Sequence, residues 1–329
     1  VGRDLHAPGA SGPHVEKQRA ERVRAHGENL RAIVRRLREA GARVVLLSPT
    51  PYDDTMRGER PNAPGCNASL AGLAALAGEV ARETGAGFID LHTPLTALNL
   101  ERQRADPAYT LIGPDRVHPG RTGHLAVASL ILRAQAAPRR VYALNLDATN
   151  STVADASRVQ VSDLVITPAS LVFTAAEESL PFPSDPADSA PEFASFHSEF
   201  NQQLLRVTGL AAGRWRLAID GEAVGEFGAD QIADGLDLAA LPSTPQLRQA
   251  RLVRAALREK WEAEAEMRTL AYARHGAWPD APRPFDLAEM QARVDARRAT
   301  VGRSNPWIDA QLALHAELQP REAELEERV

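Results

Sequence analysis

Asp115-Arg116-Val117-His118 places a carboxylate and an imidazole three residues apart, followed at once by Pro119-Gly120. Histidine is the side chain whose ordinary pKa suits proton transfer near neutrality. A carboxylate beside it can fix the ring in one tautomer and stabilise its charged form. The chemistry open to this pair is general acid–base catalysis, with His118 relieving a nucleophile of its proton and Asp115 orienting the ring. The same four residues also occur as a plain loop, in which the Asp makes local hydrogen bonds and the His packs. Context separates the two, because here the motif precedes an apolar helix and comes after a buried-looking strand.

A nucleophile is harder to find. Ser48 ends an apolar run, but no Gly-x-Ser-x-Gly elbow surrounds it. Ser11 sits in Gly9-Ala10-Ser11-Gly12, a stretch that reads as loop. Cys66 lies beside a glycine before a helix, and its plain reading is an inert, half-buried thiol. His6, His14 and His92 match no metal-ligand spacing, so neither a zinc site nor any other cofactor is expected. His124, six residues after His118, is read as structural.

The elements that must position the pair emerge from periodicity. Residues 1–14 read as loop, and a helix runs from about Val15 to Ala40, with Val23, Leu30, Ile33, Val34 and Leu37 on one face and Gly41 at its end. Arg43–Ser48 is short and almost wholly apolar, as expected of a strand buried on both faces of a parallel sheet. Pro49–Asp54 leaves its C-terminal end, where open α/β sheets bind ligands. A helix over Asn67–Thr84, a strand at Gly87–Leu91, a looser segment, the Asp115/His118 loop and a helix over Arg121–Ala136 complete an α/β pattern. After Pro138 short β-like runs alternate with polar turns, and Ser184–Pro191 reads as a loop. Leu204–Val207, Arg214–Ile219 and Ala223–Phe227 read as a three-stranded meander turned at Asp220-Gly221. From Thr244 the chain is helical and charged, with Leu252, Leu257, Trp261 and Leu270 as candidate core of a helix over Gln246–His275. Shorter helices are expected near Asp286–Thr300 and Pro306–Leu318. Trp215, Trp261, Trp278 and Trp307 more readily fill a core than stack on a sugar. The expected division is 1–138, an α/β domain; 139–243, a β-rich module; and 244–329, a helical extension.

Bulk properties exclude more than they assign. The 329 residues carry a net charge of -5, which gives no reason to invoke nucleic acid or an anionic membrane as partner. No apolar run approaches the roughly 20 residues of a membrane span. The single Cys66 excludes an intrachain disulfide. Lys17 and Lys260 are the only lysines, which reads as coding bias in a GC-rich genome.

Gly113-Pro-Asp-Arg-Val-His-Pro-Gly-Arg-Thr-Gly-His-Leu-Ala-Val-Ala closely resembles the last catalytic block of the SGNH (GDSL-like) hydrolases. Arg43–Asp54, with its strand and Pro-Thr-Pro-Tyr, is similar to that family's fourth strand, and Pro64–Asn67 through Phe88–His92 fits as well. The resemblance covers about residues 1–137. It implies a flavodoxin-like α/β domain, with His118 as base and then acid, Asp115 as its orienting partner and a serine forming an acyl-enzyme. The implied substrate is an O-acyl ester of a small molecule or carbohydrate. Leu204–Phe227 resembles an accessory segment found after SGNH domains in some bacterial enzymes.

The family's Gly-Asp-Ser and Gly-x-Asn-Asp blocks occur nowhere in the 329 residues. Val1-Gly-Arg-Asp-Leu5 is similar to the segment immediately after the family's Asn block. The expectation is therefore the second half of the domain only, with three strands, the serine and the oxyanion donors upstream of residue 1. Export to the periplasm or beyond would then depend on a leader in that upstream part. An open edge on the Arg43–Ser48 strand should make such a piece associate. The competing expectation is a non-catalytic glycan- or protein-binding chain with a vestigial hydrolase domain.

Overall fold

Two short parallel strands and four helices frame the Asp115/His118 loop. The computed structural model describes residues 13–58, 61–183, 190–271 and 319–328, with positions 288, 292, 295, 296, 299 and 317 besides. Residues 1–12 with His6 and Ser11, residues 184–189 of the loop expected at Ser184–Pro191, Trp278, Trp307 and most of the two helices expected after residue 285 lie outside the described residues. The chain falls into two compact units: Val1–Glu178 with Ser184–Thr208 and Gly235–Asp237, and Ser179–Pro183 with Gly209–Asp234 and Leu238–Val329.

In the first unit, α1 (Pro13–Glu39) leads to β1 (Val45–Leu47), α2 (Cys66–Thr84), β2 (Gly87–Ile89), α3 (His92–Gln103) and α4 (Arg121–Ala134). The strands pair in parallel, Val45 with Gly87, Leu46 with Phe88 and Leu47 with Ile89. This is the expected mixed α/β fold. Burial differs from expectation. Val45, Leu47 and Phe88 are exposed, as are Val23, Ile33 and Leu37 on α1, while Val34 is fully buried. An apolar period identifies a face but not its cover, and among the described residues β1 has no strand on its second edge. The segment read as loose is in fact α3, whose buried Leu95 packs with Ile89, Leu91, Leu111, Ile112 and Ala126. Leu95, Leu111 and Ile112 are at most 1% exposed, and burial of each contributes roughly 2 kcal/mol.

The same unit continues into a four-stranded sheet. β3 (Arg140–Asp147) lies between β4 (Thr152–Ser157), antiparallel to it, and β7 (Gln202–Thr208), parallel to it. β5 (Val159–Thr167) and β6 (Ser170–Glu177) form a separate hairpin. The parallel β3–β7 pairing corrects the meander, because Leu204–Val207 joins a strand some 60 residues earlier instead of the Arg214–Ile219 strand that follows it. Between them, α5 (Pro191–Phe200) places Phe196 and Phe200 against Leu125 of α4, and Arg133 pairs with Glu199.

In the second unit, β8 (Arg214–Ile219) and β9 (Glu222–Gly228) form the hairpin read from the alternation of Trp215, Leu217 and Ile219, with Asp220 and Gly221 both at positive φ in the turn. After α6 (Ala229–Asp234) comes β10 (Leu236–Asp237), which belongs to the first unit and pairs with β7. α7 (Pro245–Ala271) buries Leu247, Ala250 and Ala263, whereas Leu252, Leu257 and Trp261 are exposed. The small residues lie on the packed face, and Ala263 meets Leu325 and Met267.

Candidate active site

Leu111 and Ile112, anchored in the core, deliver the chain directly into the site loop. The loop closes because two positions carry no side chain. A Cβ on Gly113, which sits at φ 78, would come within 2.7 Å of the His118 carbonyl oxygen. A Cβ on Gly123 would lie 2.1 Å from the Leu111 carbonyl, so the first turn of α4 can pack here only as glycine. The Gly120 N–H donates to that same carbonyl at 3.1 Å.

Within the loop, His118 Nδ1 lies 2.6 Å from Asp115 Oδ2. Asp115 Oδ1 accepts the N–H groups of Val117 and His118, each at 3.0 Å. The His118 N–H, then the ring and the Val117 N–H, hold the Asp115 carboxyl well below the usual carboxylate range. An ionised acceptor on Nδ1 requires the proton there, which leaves the Nε2 lone pair outward. The His118 side chain is 81% exposed, and Nε2 makes no hydrogen bond to the described residues. The pair can take a proton from a hydroxyl brought to Nε2 and hold the resulting imidazolium.

Ser48, the in-chain serine at the strand end, is committed elsewhere. It is buried, and its Oγ accepts the N–H groups of Leu91 and His92 at 2.8 and 2.9 Å. Its own proton faces Asp90 Oδ1 at 3.2 Å. Burial pushes the Asp90 carboxyl up, but hydrogen bonds from Thr93 and Ser48 hold it below its ordinary value. Ser48 therefore extends the β1–β2 pairing. His92 is likewise structural: it is buried, with Nε2 2.9 Å from Asn67 Oδ1. His14 lies in the first turn of α1 and His124 is exposed on α4. Burial, with Asp54 nearby, pushes the Cys66 thiol up, the opposite of an activated nucleophile. No group of three His, Cys, Asp or Glu side chains able to hold a metal occurs among the described residues.

A buried polar plug beneath the loop escaped sequence reasoning. Asp53 is 2% exposed. Its carboxylate accepts Thr55 N–H, Met56 N–H, Asn99 Nδ2 and Gln103 Nε2 at 3.1, 2.9, 2.9 and 3.0 Å. Burial pushes the Asp53 carboxyl up, yet hydrogen bonds from Thr110, Asn99, Met56 and Thr55 outweigh it and hold the group low. Arg116 completes the plug. The weak signal for all this was an acid in the segment that follows a strand, Pro49–Asp54, read as ligand-facing.

Residues 8–126 match the model of the GDSL-like lipase/acylhydrolase family. The matched stretch is a little over a third of the 329 residues and holds both Asp115 and His118. The chain is similar to a solved structure described as BT4096, a gut microbial diltiazem-metabolizing enzyme. The identity is 26% and the TM-score 0.80, over 96% of this chain and 75% of the other. An acetyl xylan esterase, AlAXEase, matches at 18% identity and a TM-score of 0.31 over 41% of this chain and 63% of its own, too slight to carry an argument. No curated protein gives a significant match. No helix among the described residues is long and apolar enough to cross a membrane.

Proposed function

We propose that this chain supplies the acid–base half of a serine ester hydrolase acting on O-acyl esters. The observation that carries the reading is the 2.6 Å Asp115–His118 contact with Nε2 turned to solvent. His118 takes the proton of the attacking serine as the acyl-enzyme forms and returns it to the departing alcohol; water then repeats the cycle. Asp115 keeps the ring in the Nδ1–H tautomer and stabilises the imidazolium. The substrate is an ester of a small molecule or of a carbohydrate, and the likeness to a diltiazem-metabolizing enzyme favours the small molecule.

The serine and the oxyanion donors come, in this reading, from polypeptide that pairs with the edge of β1 left without a strand among the described residues and covers Val45, Leu47 and Phe88. Support comes from the exposure of these side chains and from the commitment of Ser48 to structural bonds. Hydrolysis of 4-nitrophenyl acetate tests it. Residues 1–329 alone should give no turnover above buffer. Joined to a Gly-Asp-Ser-bearing segment, in cis or in trans, they should turn over, and His118→Ala should remove about 10⁴-fold of that rate. Turnover by residues 1–329 alone, or a His118→Ala variant of undiminished rate, would overturn the proposal.

A further inference from the structure

Arg116 occupies the second position of Asp-x-x-His, yet its surroundings are unlike those of its neighbours. Asp115 and His118 face solvent, whereas Arg116 is 2% exposed. Its backbone sits at φ 67, a left-handed conformation that favours glycine. A buried guanidinium on a strained residue persists only where strong hydrogen bonds offset both costs. Here Nη1 donates to the carbonyls of Asp53 and Met56 at 2.9 and 3.0 Å, and the Arg116 carbonyl accepts the Asp53 N–H at 3.1 Å. Three bonds thus run from one loop residue to one short segment.

That segment is the rim of the plug centred on the Asp53 carboxylate. The plug reaches back to the start of the same loop: Asn99 Oδ1 accepts the Leu111 N–H at 2.8 Å, and Gln103 Nε2 donates to the Tyr109 carbonyl at 2.9 Å. The chain from Tyr109 to Arg116 is therefore tied to Asp53 at both ends. Beyond Arg116 the loop turns its next two N–H groups, those of Val117 and His118, onto Asp115 Oδ1.

We infer that Arg116 is a positioning residue, which fixes the turn so that the Val117 and His118 N–H groups and the His118 ring converge on Asp115. The inference rests on the acid–base reading of that pair. It implies that the residue between the two working side chains serves them from the opposite face of the loop.

Arg116→Gly tests it, because glycine keeps the backbone conformation and removes only the anchor. Carboxyl-carbon NMR of Asp115 in residues 1–329 is the main readout. The variant should protonate about one pH unit higher than the parent, and Arg116→Lys, which keeps a multi-donor cation on a shorter side chain, should fall between. In the serine-supplied enzyme, kcat should drop about 10-fold with KM changed less than about 2-fold. Should Arg116→Gly fail to fold, Asp53→Asn disturbs the same anchor from below and should move the Asp115 titration in the same direction. A lower melting temperature with an unmoved Asp115 titration would make Arg116 merely structural and overturn the inference. Absence of ester hydrolysis would instead sink the proposed function, while the Asp115 titration would still decide this point.

Discussion

Two His–Asp pairs in the first unit are almost equal in length and opposite in exposure. His118 Nδ1 meets Asp115 at 2.6 Å, and His197 Nε2 meets Asp237 at 2.7 Å. The first histidine side chain is 81% exposed and the second 24%. His118 keeps one ring nitrogen outward. His197 spends both, since its Nδ1 lies 3.3 Å from Asn201 Nδ2, and Asp237 also accepts the Gln203 N–H at 3.1 Å. The second pair is a clasp joining α5, β7 and β10. Proximity of imidazole and carboxylate therefore does not by itself suit a pair to proton transfer, which also needs an unbonded, accessible ring nitrogen.

The largest expected contrast is in rate. In the serine-supplied enzyme His118→Ala should cost about 10⁴-fold in kcat and His197→Ala less than about 2-fold, read with 4-nitrophenyl acetate. Comparable losses from both would erase the distinction. Asp115→Asn should cost about 10² to 10⁴-fold, because an amide favours the wrong tautomer. Stability should separate the same regions in the other direction. Asp53→Ala, which leaves Asn99, Gln103 and two backbone N–H groups without their acceptor, should cost about 3 kcal/mol in denaturant unfolding. His197→Ala should cost about 2 kcal/mol, and His118→Ala, at an exposed position, less than about 0.5 kcal/mol.

The smallest effect is the acid limb. Asp53 and Asp115 both have folded-state pKa values below their ordinary ones. A lowered carboxylate adds stability that is complete above its unfolded pKa, about 3.9, and is lost as pH falls through the lower folded value. Melting temperature should therefore hold down to about pH 4 and fall below it, with a shallower fall in Asp53→Asn. A fall that began near pH 6 would point to a histidine instead.

The Asp115/His118 pair was legible because its chemistry is packed into four consecutive residues, and the parallel β1–β2 pairing because two apolar runs alternate with helices. The plug was not, since Asp53 meets Asn99, Gln103 and Arg116 across 46, 50 and 63 residues, and no local period marks such partners. Arg116 was hidden for the same reason: in sequence it is a spacer. The β3–β7 pairing was missed because Leu204–Val207 carries the same alternation whether it joins the next strand or one far behind. Exposure of Leu252, Leu257 and Trp261 on α7 repeats the case of α1, where pattern names a face and only packing decides whether it is covered.

The tautomers of the two neutral rings test the central claim most directly, and nitrogen-15 NMR of residues 1–329 reads them without any nucleophile present. The geometry predicts His118 protonated on Nδ1 with Nε2 bare, and His197 protonated on Nε2 with Nδ1 bare. A His118 ring protonated on Nε2 would leave no base facing a serine and would contradict the account.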